Sequence, residues 1–419
     1  MGVLRSNVNV RRLFFAQNIS VMGDYFTYVA LVGLIKDATD STFLVSLVYA
    51  AYVLPSFFFS PLAGPIVDKF DRRKVIVFIS ALQAICGIGF LLSNADRIWL
   101  ALLTQIVISS LAVITLPAFG SALPNVTRND EELRQANALF GSSWGASVFI
   151  GSAVGGLFAA TLGRTATFVA DIATFALCAA LVALIKVPLQ ERKAHAVREP
   201  IRPIADMREA FHYAKENSVI FALMASKTTQ AVGAGAVGQL AVLAIDAFNT
   251  GDGGSGLLLA ARGFGAAIGP FIFMRFARDN MPRMLLLVGV GGLIWSVFYL
   301  AASASPMLWL AVIAIGAAHI GGGAIWTMAS YGLQISTPDY IRGRVLAGDM
   351  GFAMLVTGLS SIGTGILGEI FPIRIAIAIV AGISGIASCS YLIGSMGLRR
   401  RLRALSLTQP QSYTNSSNE

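Results

Sequence analysis

A handful of ionisable residues stand inside long apolar runs, and these are where chemistry could be done. Asp24, Asp171, Lys227, Arg262 and His319 each lie in a stretch otherwise dominated by aliphatic residues, Gly and Phe. A lone charge at the centre of a membrane helix costs about 2.5–3.5 kcal/mol on insertion scales, so a chain keeps one where it lines a wet cavity or has a partner. Asp24 is of the type that takes and releases a proton, and His319 could relay one. Lys227 and Arg262 would attract an anionic or carboxylate-bearing substrate. Gln17, Asn18, Gln105, Gln230 and Gln239 supply candidate polar lining. Each has a plainer reading too: a static ion pair for the charges, a hydrogen-bonded packing histidine for His319, a structural carboxylate for Asp171. Soluble-type catalysis has no support. There is no phosphate-cradling Gly-rich loop ending in Lys-Ser/Thr. No His, Cys, Asp or Glu cluster has metal-ligand spacing, and His195, His212 and His319 are scattered. Cys86, Cys178 and Cys389 fall in expected helices and imply no disulfide framework.

The elements that must hold these residues are membrane helices. The chain has 419 residues, 56% hydrophobic and 13% charged. Soluble domains carry about 25% charge. Its apolar runs reach the roughly 20 residues a helix needs to cross a bilayer, and they lack the alternation of an outer-membrane barrel. About twelve spans are expected, at roughly 13–35, 43–67, 75–93, 98–122, 137–160, 165–187, 218–246, 255–277, 284–303, 307–333, 346–370 and 373–397.

The net charge of +9 is a topology signal, because it sorts by loop parity. Alternate gaps carry Arg5, Arg11 and Arg12, then Lys69 to Lys74, Arg128 and Arg134, the long 188–217 loop, Arg275 to Arg283, Arg342 and Arg344, and Arg399 to Arg403. The opposite gaps carry only Lys36, Arg97, Arg164 and Arg374. Positive residues stay on the cytoplasmic side, so both termini are expected there, and a nucleic-acid partner is not. The expected organisation is a six-helix bundle over 1–187, a linker over 188–217, a second bundle over 218–397, and a polar, unstructured tail over 398–419. The halves echo each other: aligning Phe15 with Phe221 brings Ala16, Ser20 and Leu34 onto Ala222, Ser226 and Leu240. Residues 204–215 space their apolar positions like an interfacial helix.

The loop Gly64-Pro-Ile-Val-Asp68-Lys69-Phe-Asp71-Arg72-Arg73-Lys74 packs six charges into seven residues between two apolar runs. It resembles the loop between the second and third helices of the major facilitator superfamily. Gly64, Asp68, Lys69, Arg72 and Arg73 match that pattern, and Asp71 stands where it has glycine. Gly151-Ser-x-x-Gly155-Gly156 is similar to the family's Gly-Pro-x-x-Gly-Gly antiporter motif, with Gly269-Pro270 on helix 8 as its partner. Pro117 to Pro124, Leu133 to Leu139 and Arg342-Gly-Arg344-Val resemble the drug- and siderophore-efflux branch.

The resemblance implies an all-α membrane protein of twelve helices in two pseudo-symmetric bundles. It implies alternating access, a proton gradient and no cofactor as energy source, a monomer, and a multi-pass place in the cell inner membrane. The cargo would be a small amphipathic molecule, a drug or siderophore. A lysophospholipid flippase of the same fold is the alternative, and a non-transporting receptor or enzyme a more distant one. The 64–74 loop would latch the halves while the transporter faces outward, with Arg72 and Arg73 meeting acids opposite, Asp349 among them. Gly151, Gly155 and Gly156 would be a packing hinge. Helices 1, 4, 7 and 10 would line the cavity. The repeat alignment sets Asp24 beside Gln230, one turn or about 4.5 Å along the axis from Lys227, so an Asp24–Lys227 pair across the cavity is expected.

Overall fold

The computed structural model describes residues 2–190, 203–277 and 280–408. Everything regular in it is helical. Eleven helices are long and apolar enough to cross a membrane, or twelve if a bent pair is counted as one span. We label the spans α1 (Val8–Thr39), α2 (Thr42–Lys69), α3 (Arg72–Leu91), α4 (Ile98–Val126), α5 (Asp130–Leu162) and α6 (Arg164–Ala183). After them come α7 (beginning Ser218–Ala231), α8 (Gly251–Ala277), α9 (Met281–Ala304), α10 (Leu308–Ser336), α11 (Asp339–Ile370) and α12 (Ile373–Gly394). α1, α4, α5 and α11 run further than hydropathy alone suggested, because polar turns continue the apolar spans, whereas α3, α6 and α12 stop a few residues short.

Asparagine starts four of these helices. Asn7, Asn129, Asn217 and Asn280 each accept backbone N–H bonds at the first turn of α1, α5, α7 and α9. Such a cap satisfies donors the helix cannot pair internally. Asn7 also donates to Val126 O at 2.8 Å and to Glu132 at 2.9 Å, tying α1 to the α4–α5 turn. Asp71, the departure from the family loop pattern, caps α3 by accepting from Lys74 N at 3.0 Å.

Span α7 is not the single helix expected over 218–246. It stops at Ala231, resumes over Gly235–Gly238 and Leu240–Val242, and ends in a π-helical turn, Leu243–Ala247. The segments Ser218–Gly238 and Leu240–Ala247 are bent by 41° relative to each other. A broken helix in a membrane must have its freed backbone groups paired by protein. Ser360 of α11 does this: its hydroxyl donates to Val232 O at 2.7 Å and accepts from Gly235 N at 3.0 Å. Gly235 has no room for a side chain, since a Cβ there would stand 2.2 Å from Ser360 O.

Close packing places the small residues. α5 lies between α1 and α8: a Cβ at Gly151 would meet Met22 O at 2.8 Å, one at Gly155 the Phe26 Cα at 2.8 Å, and one at Gly156 the Gly256 Cα at 2.7 Å. Gly269 faces α10 instead, against Ile320 O. The expected hinge glycines are thus contact points of three helices, as small residues in membrane helices generally are. α2 packs along α11 through Gly358, Gly365 and Gly368. Pro203–Glu216 forms the amphipathic helix expected near the linker's end, and residues 398–408 of the tail, expected to lack structure, belong to a helix, Met396–Thr408. The rest of the linker's charged stretch and of the tail, 191–202 and 409–419, lie outside the described residues.

Candidate functional site

Arg262 is the centre of the most unusual polar cluster. It is 9% exposed, and its Nε has no hydrogen-bond partner. Among the described residues it has no ion pair. Its guanidinium lies 6.0 Å from the Tyr49 ring and 5.6 Å from the Trp144 ring. Tyr25, Tyr28, Tyr52 and Tyr299 are also within electrostatic reach. The rings touch: Tyr25 with Tyr52 at 6.0 Å, and Tyr28 with Tyr49 at 6.1 Å and Tyr52 at 6.3 Å between centroids. The hydroxyl of Tyr28 is buried without a partner. Below them Tyr299 stacks on Trp295 at 4.1 Å and shares a 2.9 Å hydrogen bond with His319 Nε2. A cation is attracted to aromatic faces, but a guanidinium has five donors to place, and here some are unused.

The tyrosines are the part that sequence reasoning missed. Tyr25 and Tyr28, and again Tyr49 and Tyr52, are three apart, which puts each pair on one helix face. That spacing was readable. That the α1 and α2 faces meet over an α8 arginine was not.

Asp24 does not meet Lys227. Its neighbour is Asp171 of α6, near enough for the two charges to interact. Asp171 is 2% exposed and accepts from Thr27 at 2.5 Å and Thr174 at 3.2 Å. A Cβ at Gly23 would stand 2.3 Å from Asp171 Oδ1, so α1 and α6 approach closely there. Asp24 itself is half-buried.

Lys227 instead pairs with Asp349 of α11, and donates to Ser330 at 2.9 Å beside the Trp326 ring. Both charges are 2% exposed. This pair corrects the expected Asp24–Lys227 pair, and in this conformation it takes Asp349 away from the 64–74 loop. Asp349 sits deep enough on α11 to face α7 rather than the loop. Arg72 donates to Ser121 O at 2.7 Å and Leu189 O at 3.2 Å, and Arg73 to Val187 O. Asp68 is 80% exposed and 3.9 Å from Arg72. Lys69 lies over Phe70, and Gly64 has open space beside it. In this conformation the loop is therefore bonded to its own half of the chain.

Of the other polar candidates, Asn18 donates to Phe14 O at 2.8 Å and accepts from Ser147 of α5 at 2.7 Å. Gln105 donates to Ser109 at 2.8 Å within α4. Gln239 donates to Thr42 O at 3.1 Å, bridging α7 and α2. Gln17 and Gln230 each keep a buried amide oxygen without a partner.

A second polar network gathers at the other end of the molecule. Arg164 binds Asp37 at 2.7 Å and Asp252 at 2.8 Å; Lys36 binds Asp40 at 2.6 Å and Asp246 at 2.9 Å. The hydrogen bond from Lys36 holds the exposed Asp40 carboxyl below the usual carboxylate range. Glu369 accepts from Ser41 at 2.8 Å, Thr42 at 3.1 Å and Phe43 N at 2.8 Å. None of these cross-links was foreseen. Each joins residues before 190 to residues after 218, except Lys36–Asp40 and Arg164–Asp37.

Comparison with known proteins agrees with this architecture. The pattern of the family described as transmembrane secretion effector matches residues 3–411. The enterobactin exporter EntS of Salmonella typhimurium is 28% identical over 418 residues, 96% of each chain. The putative bacilysin exporter BacE of Bacillus subtilis strain 168 is 22% identical over 378 residues, 90% of this chain and 92% of its own. Among solved structures, a bacterial homologue of the lysosomal transporter Spinster, inward-facing and unoccupied, superimposes with TM-score 0.70 at 16% identity, covering 97% and 99% of the chains. A POT family transporter bound to 5-aminolevulinic acid gives TM-score 0.78 at 12% identity, over 94% and 97%. At such identities the structures speak for the fold alone. Long apolar helices that pair their own backbone are the way such a chain crosses the inner membrane many times. It belongs to the transmembrane secretion effector family of the major facilitator superfamily, whose relatives here are exporters of small molecules.

Proposed function

We propose that the chain is a secondary active exporter, carrying a small amphipathic molecule with an acidic group out of the cell by alternating access. In this reading residues 1–187 and 218–397 are two bundles rocking about a midplane site. The observation that carries it is the buried, unpaired guanidinium of Arg262 among tyrosine rings contributed by both halves. An unsatisfied buried charge is costly, and an anionic, partly aromatic cargo would supply what it lacks. Enterobactin and bacilysin, named for the relatives' exporters, are the probes to try first.

The positive-inside pattern puts both termini in the cytoplasm, and so puts Arg164, Lys36 and Glu369 at the periplasmic end. Cross-links there hold that end shut, which makes this an inward-open state. Asp24, half-buried beside Asp171, is the group to carry the coupling proton, and energy comes from the proton gradient rather than a bound cofactor. Uptake of labelled probe into inverted vesicles tests this. Uptake should fall when the pH gradient is collapsed, and Arg262→Gln should need a much higher probe concentration to reach the same uptake. Uptake indifferent to the gradient removes the antiport step. Movement of lysophospholipid alone, insensitive to ionophores, returns the flippase reading.

A further inference from the structure

An apolar groove of about 300 Å³ runs along α7, away from the Arg262 cluster. Phe221, Ala225, Thr228 and Val232 form its floor, at spacings that make one stripe of a helix. Phe352 of α11 and Ala387 of α12 are its walls, and Phe211 and Ala214 of the helix Pro203–Glu216 border its mouth. From Phe221 to Val232 the groove is roughly 16 Å long at 1.5 Å per residue. Phe211 and Phe221 are 40% and 49% exposed, so it is open at that end. Lys227 points elsewhere, to Asp349.

We propose that this groove holds one acyl chain of an anionic membrane phospholipid, with the phosphate at Lys215. The lining offers almost no polar atom, so neither water nor a polar cargo is stabilised there, and a hydrocarbon chain fits its length and narrowness. The charge at its mouth selects the head group. Lys215 Nζ lies 5.4 Å from the centroid of the Phe211 ring, and Arg208 is exposed on the same helix. Glu209 on the same helix is paired with Arg344 at 2.9 Å, and Glu216 lies 3.3 Å from His212 Nε2. Anionic lipid is drawn to basic residues at the membrane surface. The far end of the groove is Val232, where α7 breaks and Ser360 takes up the freed carbonyl. A chain lying there braces α7 at the point where its regular α-helical hydrogen bonding gives way to tighter turns, and joins the linker helix to it. This site needs only a membrane-spanning chain and is independent of which cargo is exported.

The test uses the full chain in nanodiscs of equal phosphatidylglycerol and phosphatidylcholine, followed by native mass spectrometry. Wild type should retain one phospholipid, with phosphatidylglycerol preferred about fivefold. Ala225→Phe should lose it while keeping the helical circular dichroism. Lys215→Gln should keep a lipid but lose the head-group preference. Phosphatidylglycerol with a diazirine near the chain end should label Thr228 or Val232, at the far end of the groove, in wild type. If Ala225→Phe does not fold, Ala387→Phe blocks the groove from α12, and the wild-type labelling decides by itself. Equal retention by the blocked variants, or label spread evenly over the lipid-facing helices, overturns the site. A preference unchanged in Lys215→Gln overturns the head-group assignment.

Discussion

Lys227 and Asp349 are both nearly sealed from solvent, and a buried pair behaves differently from its parts. Removing one partner of such a pair typically costs about 3–5 kcal/mol, whereas replacing both with apolar residues is often neutral or stabilising. Lys227→Met alone should therefore lower the thermal midpoint in detergent sharply, and Lys227→Met with Asp349→Leu should restore it. Transport by the double variant then separates roles. If it exports normally, the pair is a structural tie between α7 and α11. Arg262 is the opposite case, a buried cation with no acid to leave stranded. Arg262→Gln should be stable but bind its cargo roughly 10- to 150-fold more weakly, the worth of one charge-assisted hydrogen bond of about 1.5–3 kcal/mol. Titration followed by the fluorescence of Trp144, which lies beside the guanidinium, checks this. Asp24→Asn should bind cargo but export it without response to a pH gradient, measured in inverted vesicles.

At the scale of elements, α7 is the span that departs from regularity. Its break depends on one hydroxyl that serves both a carbonyl and an amide. Ser360→Ala leaves two buried backbone groups without that partner, each costing about 1–3 kcal/mol. Amide hydrogen exchange should rise at residues 232–236 and stay unchanged in α9 and α10. The three glycines at 233, 235 and 238 were the signal available in the chain. They mark a place where a helix can break, yet a glycine in a membrane helix serves close packing as often, as at Gly156 and Gly256. Which of the two applies depends on the neighbour.

For the whole molecule, the polar cross-links between its halves cluster at the end that carries Arg164, Lys36 and Glu369. Partly exposed ion pairs contribute about 0.2–1 kcal/mol, so Arg164→Ala should shift a two-state equilibrium by up to about fivefold. Spin-label distances between residues 64 and 343, both in open space at the opposite end, should shorten on average as the cross-links are lost. An unchanged distance distribution would mean that Arg164 does not hold this state.

The number of spans, the parity of the basic loops and the family loop at 64–74 were all legible in the chain itself, because they depend on how each segment meets the bilayer. Local rules of that kind also placed the helix before α7 and left Asp24, Lys227 and Arg262 as the residues to watch. Partnership was decided only in three dimensions. Lys227 found Asp349, Asp24 found Asp171, and Arg262 found tyrosines from α1, α2 and α9. The physical reason lies in the solvent. In water, an apolar stripe tells which helix face turns inward, but lipid and protein interior are alike apolar. A membrane helix therefore carries little record of its neighbours until the helices pack.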